Sequence, residues 1–123
     1  VSRSAAMSQA IQSSSGRALA RQAGRRPCIV VSCDKANRNA PVYTVIPGTT
    51  NLEKNHIPVH FEINPKDIKG YLKCKTMFLP EQIITINKSQ VIQTAGIITN
   101  TEAIKLIDDM LIRQLQIGEY DGR

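Results

Sequence analysis

Apolar and β-branched residues fall in short runs separated by polar breaks from residue 28 onward. Residues 28–33, Cys-Ile-Val-Val-Ser-Cys, form an apolar strand entered through Gly24-Arg25-Arg26-Pro27. Residues 34–40 are polar and predict a loop turning at Asn37-Arg38-Asn39. Pro41 then opens a second run, Val42-Tyr43-Thr44-Val45-Ile46, which ends at Pro47-Gly48 with Thr49 and Thr50 beyond. Residues 57–63 alternate, with Ile57, Val59, Phe61 and Ile63 on one face and Pro58, His60 and Glu62 on the other. That period of two predicts a half-buried strand, and Pro58 puts it at an edge or a strand start. On this pattern His60 is a solvated residue of the outer face. Residues 75–79 and 83–86 predict short strands interrupted at Pro80, and residues 88–93 one helical turn before Gly96.

The last long element has a different period. Thr99-Asn100-Thr101-Glu102 has the form of a capping box. Ala103, Ile104, Ile107, Met110, Leu111 and Leu115 then recur at helical spacing, with Gly118 as the stop. Leu106 and Ile112 lie off this stripe and are placed for a second contact. Several short strands and one closing amphipathic helix predict an α+β fold around a small, strongly curved β-sheet or barrel.

Residues 1–23 differ from the rest. They are rich in Ser, Ala, Gln and Arg, hold no acidic residue and carry few large apolar side chains. They predict an atypical arm, poorly ordered or loosely helical, ahead of one domain at residues 24–118 and a short tail at 119–123. A targeting peptide has a similar composition.

Composition sharpens this picture at three points. Of the 123 residues 41% are hydrophobic and 21% charged, which suits a globular domain, and no apolar run approaches the length of a membrane span. Charge is uneven: residues 1–88 hold 13 Lys/Arg against 5 Asp/Glu, and residues 89–123 hold 3 against 5. A basic body favours a polyanionic partner, nucleic acid before membrane. Cys28, Cys33 and Cys74 lack metal-ligand spacing, and no His, Cys and carboxylate cluster suggests zinc, so neither metal nor cofactor is expected. Unpaired cysteines suit a reducing cytoplasm.

The chemistry centres on the two strands that open the domain. Joined by a loop and lying side by side, they bring the start of the first to the end of the second, so Arg26 meets the Thr49 hydroxyl. A permanent cation beside a hydroxyl, with a glycine allowing close backbone approach, suits a phosphodiester. Pattern alone leaves two readings, a phosphate site or a solvated arginine pair ahead of a buried strand. Lys66, Lys69, Lys73 and Lys75 surround Tyr71 in the same way, as a solvated face or as an RNA-contacting patch.

Gly24-Arg25-Arg26-Pro27, Asn37-Arg38-Asn39-Ala40-Pro41 and Pro47-Gly48-Thr49 resemble, in order and spacing, the MazF/PemK family of toxin endoribonucleases. The likeness runs on through residues 57–63 and 81–88 to the closing helix, covering roughly residues 22–117. It implies an SH3-like barrel, a homodimer, a single-stranded RNA substrate, an antitoxin protein partner and metal-independent cleavage at a short mRNA sequence. By motif position the catalytic arginine is Arg26 and the hydroxyl Thr49, with Thr50 as its near alternative. Glu81 falls where some members use a carboxylate, as a general base or as a structural hydrogen-bond partner. Arg25, Thr50, Lys73, Lys75 and Gln82 are the expected RNA contacts.

Two departures accompany the resemblance. Arg21 stands where the family usually has a glutamate, five positions before the arginine, and the family's opening strand pattern is replaced by the Ser/Ala-rich arm. Together they keep open a catalytically weakened barrel that retains only RNA or antitoxin binding. A gyrase poison of the CcdB type is the other alternative on the same barrel, although it lacks the Arg-Pro and Thr pairing.

Overall fold

Antiparallel pairing of short strands organises the chain, which the computed structural model describes at residues 17–22, 26–53 and 56–118. The strands are β1 (Arg17–Gln22), β2 (Pro27–Val30), β3 (Val42–Thr49), β4 (Phe61–Ile63), β5 (Ile68–Gly70), β6 (Thr76–Phe78), β7 (Ile84–Asn87) and β8 (Val91–Ile98). Two helices accompany them, α1 (Asp34–Asn39) and α2 (Thr101–Leu115). The sheet order is β4-β6-β3-β2-β1-β8-β5, with β7 also paired to β3. This curled antiparallel sheet with a C-terminal helix is the α+β architecture expected. β3, eight residues long like β8, has neighbours on both edges: β2 lies on one side, while β7 takes its first half and β6 its end on the other.

The arm needs correction at residues 17–22. They form β1, which pairs with β2 through Leu19↔Ile29, Ala20↔Cys28 and Arg21↔Pro27, and with β8 along its whole length. Leu19 faces the core under α2, and Ala18 and Ala20 are buried on the opposite face. A strand paired on both edges and covered on both faces has little room for large side chains, so alanine suffices despite its low β propensity. Arg17 fixes the outer end. Its guanidinium donates to the Val31 carbonyl at 3.0 Å and meets Asp108 of α2 at 3.3 Å. Residues 1–16, the rest of the expected arm, lie outside the described residues, as does the tail at 119–123.

Three other expectations change. The polar stretch after β2 is a short helix rather than a loop: Asp34 sits at its N-terminus and Arg38 at its C-terminus, which suits the helix dipole. Asn37 in it is buried. Its amide donates to the Ser32 carbonyl and its oxygen accepts from the Ser32 hydroxyl, which in turn accepts from Thr44 N–H. Of the alternating run at 57–63 only Phe61–Ile63 pairs, while Ile57 and Pro58 are exposed. The helical turn near residue 88 lasts three residues, and the chain then runs as β8 through Gly96. Gly96 and Gly70 are needed there because β5 and β8 touch backbone to backbone. A Cβ on either would fall 2.3 Å from the facing carbonyl oxygen, and Gly70 has φ +130°.

Two apolar layers hold the sheet. Leu19, Ile29, Ile46 and Phe78 pack under Ala103, Ile107 and Met110 of α2. On the other face Cys28, Val30, Tyr43, Val45 and Ile86 form a second cluster. Each fully buried aliphatic chain stabilises the fold by about 1.5–3 kcal/mol. α2 is capped by Asn100, not Thr99: its side-chain oxygen accepts from Glu102 N–H and Ala103 N–H. The Asn100 amide also donates to buried Asp67 at 2.9 Å, tying the helix start to the β4–β5 turn. The helix ends at Gln116, in the left-handed region at φ 54°, and Leu115 is exposed rather than part of the buried stripe.

Candidate active site

The β2–β3 register builds the site. Cys28↔Pro47, Ile29↔Ile46 and Val30↔Val45 are partners, so the same register carried outward sets Arg26 opposite Thr49. Gly48 lets the end of β3 press onto β6. A Cβ there would meet Phe78 and Thr76 side-chain atoms at 2.8 Å. Arg26, Gly48, Thr49 and Thr50 line one wall of an open cavity of about 260 Å³, and Leu72, Lys73, Cys74 and Thr76 line the other. The second wall is held from below. Leu72 is buried in the core, and the buried Thr76 hydroxyl donates to the Cys74 carbonyl at 3.1 Å.

The polar groups of this cavity are suited to an anion. Arg26 and Lys73 are exposed cations, and no carboxylate or imidazole is among the described lining residues. The Thr49 hydroxyl accepts from Asn51 N–H at 3.1 Å, which occupies a lone pair and leaves its hydrogen to donate. An arginine fork, an ammonium and a directed hydroxyl around one cavity can bind the non-bridging oxygens of a phosphodiester. Cys74 at the rim adds a thiol. Cys28 is different in kind: burial pushes its thiol up to about 12, so it is an inert core residue.

The structure thus brings together Arg26, Thr49, Thr50 and Lys73 among the residues expected from sequence. Three others lie apart. Lys75 Nζ is 3.7 Å from Glu62 Oε1. Glu81 and Gln82 belong to a 3-10 turn that starts at Pro80, and neither lines the cavity. Arg25 lies outside the described residues.

Glu81 instead meets His60, and this corrects the solvated reading of His60. The imidazole is only 3% exposed, with Nε2 at 2.7 Å from Glu81 Oε2. Nδ1 accepts from Ile57 N–H at 3.4 Å, so the hydrogen belongs on Nε2 and is donated to the carboxylate. Glu62, two residues away on the same face of the alternating run, is not the partner; Glu81 lies 21 residues on. Of the two roles open to Glu81, this contact is the structural one. His60 also borders a second cavity of about 330 Å³, between β4 and α2, with His56, Phe61, Leu106 and Met110.

Comparison with known proteins places this geometry in context. Residues 11–115 match the family described as PemK-like, MazF-like toxin of type II toxin-antitoxin system. The match takes in β1, whose residues the sequence pattern had left outside the domain. An Endoribonuclease MazF from Staphylococcus epidermidis is 29% identical over 100 residues, covering 81% of each chain. Among solved structures, an endoribonuclease from a mycobacterial species superposes with a TM-score of 0.68 at 20% identity, over 85% of this chain and 91% of that one. A mycobacterial endoribonuclease in complex with its cognate antitoxin gives 0.69 at 19% identity, over 85% and 97%. With a family match that spans both sheet faces, the candidate site and the closing helix, the chain belongs to the PemK-like, MazF-like toxins of type II toxin–antitoxin systems.

Proposed function

We propose that this chain is a metal-independent endoribonuclease that cuts single-stranded mRNA at a short sequence, inhibits growth and is neutralised by an antitoxin protein. The observation that carries the reading is the juxtaposition of Arg26 and Thr49 across the β2–β3 register, in one cavity with Lys73. Arg26 clamps two non-bridging phosphate oxygens through its planar fork, and Thr49 donates to one of them. The 2′-oxygen attacks phosphorus, the bond to the 5′-oxygen breaks, and a 2′,3′-cyclic phosphate remains. The 2′-hydroxyl proton leaves to water, and the departing 5′-oxygen takes a proton in its place. Charge that builds on the pentacoordinate phosphorus meets Arg26 and Lys73, positioned before the reaction starts. Glu81 acts at a distance, by fixing His60 and so the end of the segment that begins at Thr49 and Thr50.

The family membership, the name of the staphylococcal relative and the solved complex of a mycobacterial neighbour with its antitoxin support this reading. The chain works as a homodimer in the cytoplasm, where its substrate is made. No helix among the described residues is long and apolar enough to cross a membrane. A second reading, a weakened barrel that binds RNA or antitoxin without cutting, retains one ground. Residue 21, in register with Pro27 beside the site, is an arginine where the family usually has a glutamate. Incubating the purified chain with a long single-stranded RNA in EDTA, and mapping fragment ends, separates the two. Fragments with cyclic phosphate ends at a recurrent short sequence are expected. Intact RNA at micromolar protein would leave the binding-only barrel.

A further inference from the structure

A clamp made of Arg26, Thr49 and Lys73 grips phosphate, which every nucleotide carries, and so selects no base. Recognition of unpaired bases needs a flat apolar face on which a base can stack. The chain has no Trp and only two Phe and three Tyr. Among those described, Tyr43, Phe61 and Phe78 are buried, whereas Tyr71 is 62% exposed.

Its position follows from the backbone. Tyr71 N–H donates to the Ala95 carbonyl at 2.9 Å, and Gly70 just before it is locked against Gly96. Leu72 just after it is sunk in the core and lines the cavity, as do Lys73 and Cys74. Tyr71 is therefore held on both sides while its ring stays in water. Consecutive Cα atoms are about 3.8 Å apart, which keeps the ring within one nucleotide of the cavity wall. Lys69 and Lys73 flank it in sequence, and both are exposed.

We propose that Tyr71 is the stacking platform for a nucleobase next to the phosphate held by Arg26 and Thr49, and so a specificity-determining residue. The inference rests on the RNA reading of that cavity. The phenol ring covers the base, Lys73 stays on the phosphate it shares with Arg26 and Thr49, and base preference at that one position arises from stacking and not from a hydrogen-bond code.

The test uses the full chain and uncleavable 2′-O-methyl oligonucleotides of mixed sequence, with 2-aminopurine at successive positions. Wild type and Tyr71→Phe are expected to quench fluorescence at one position. Tyr71→Ala should lose that quenching and bind roughly tenfold more weakly, with unchanged thermal unfolding because the ring is exposed. On cleavable RNA, Tyr71→Ala should still cut, with the base preference beside the cut flattened. Equal affinity and quenching for wild type and Tyr71→Ala would overturn the proposal. So would a Tyr71→Phe variant as impaired as Tyr71→Ala, which would assign the effect to the hydroxyl, or a wild type that binds no oligonucleotide. Tyr71-dependent quenching without any cleavage would instead sink the nuclease reading and leave the stacking platform standing.

Discussion

The domain carries two polar constellations with opposite character. At Arg26, Thr49 and Lys73, cations and a hydroxyl line an open cavity without an acidic partner in its described walls. At His60 and Glu81, an imidazole sealed from water is matched to a carboxylate at 2.7 Å. The first is electrostatically incomplete until an anion arrives; the second has its main contact within the chain, His60 Nε2 to Glu81 Oε2, while Glu81 Oε1 is buried without a hydrogen-bond partner among the described residues. Both are reached through β3. Leu79 N–H, beside the Glu81 turn, donates to the Pro47 carbonyl, one residue before Gly48. The contrast teaches that a carboxylate near a nuclease site is not thereby its base. In the function proposed above Glu81 has a positioning role: it bonds His60, and its turn is tied to β3 through Leu79.

Changing the open site should cost the most in activity and the least in stability. Arg26→Ala is expected to slow single-turnover cleavage about 10²–10³-fold, the usual loss for one oxyanion-stabilising donor. Arg26 is exposed, so its melting temperature should move little. Arg26→Lys should fall in between, since a point charge replaces a two-pronged fork. The closed pair should behave the other way. His60→Ala leaves Glu81 without its donor and should destabilise the fold by about 1–3 kcal/mol in urea titration, with cleavage by the folded fraction falling less than tenfold. If Glu81→Gln instead lost as much cleavage as Arg26→Ala at an unchanged urea midpoint, Glu81 would belong to the chemistry and the contrast would fail.

Two smaller effects sharpen the comparison. Cys28 is held neutral in the core, with its thiol raised from 9.0 to about 12 by burial. Below pH 9 folded and unfolded chains both keep this proton, so its contribution is fully present. Between pH 9 and about 12 only the unfolded chain releases it, and stability falls by about 1.4 kcal/mol per pH unit from this group. Urea midpoints for wild type and Cys28→Ala across that range should converge as pH rises. Lys73→Ala should reduce the salt dependence of RNA binding by about one phosphate's worth of counterion release. A slope equal to that of wild type would remove Lys73 from the phosphate contact.

Much of the open site was legible in sequence because it depends on local order. Two apolar strands joined by a short connector pair in one way, and Pro27 and Gly48 mark where their shared end lies. α2 was equally plain, since its stripe repeats over four turns. What escaped depends on contacts between distant residues. β1 looked like an arm because its alanines are chosen by crowding from β2 and β8, not by strand propensity. β8 was hidden by Gln93, Thr94 and Gly96, the last placed by backbone contact with Gly70. His60 alternated properly for an outer face, but its burial is set by Glu81, whose position no local pattern gives. Asp and Asn in the connector after β2 favour turns by local pattern, but the segment is a helix from which buried Asn37 bonds back to Ser32.

The central claim is that Arg26 and Thr49 act as one unit on a single phosphodiester. Single-turnover cleavage of one RNA in EDTA by wild type, Arg26→Ala, Thr49→Val and the double variant tests it most directly. Residues that serve one transition state lose little more together than the worse one loses alone. The account predicts a double variant no slower than Arg26→Ala by more than a few-fold. Rates that multiply as if independent, or a Thr49→Val that cuts like wild type while Thr50→Val does not, would contradict it.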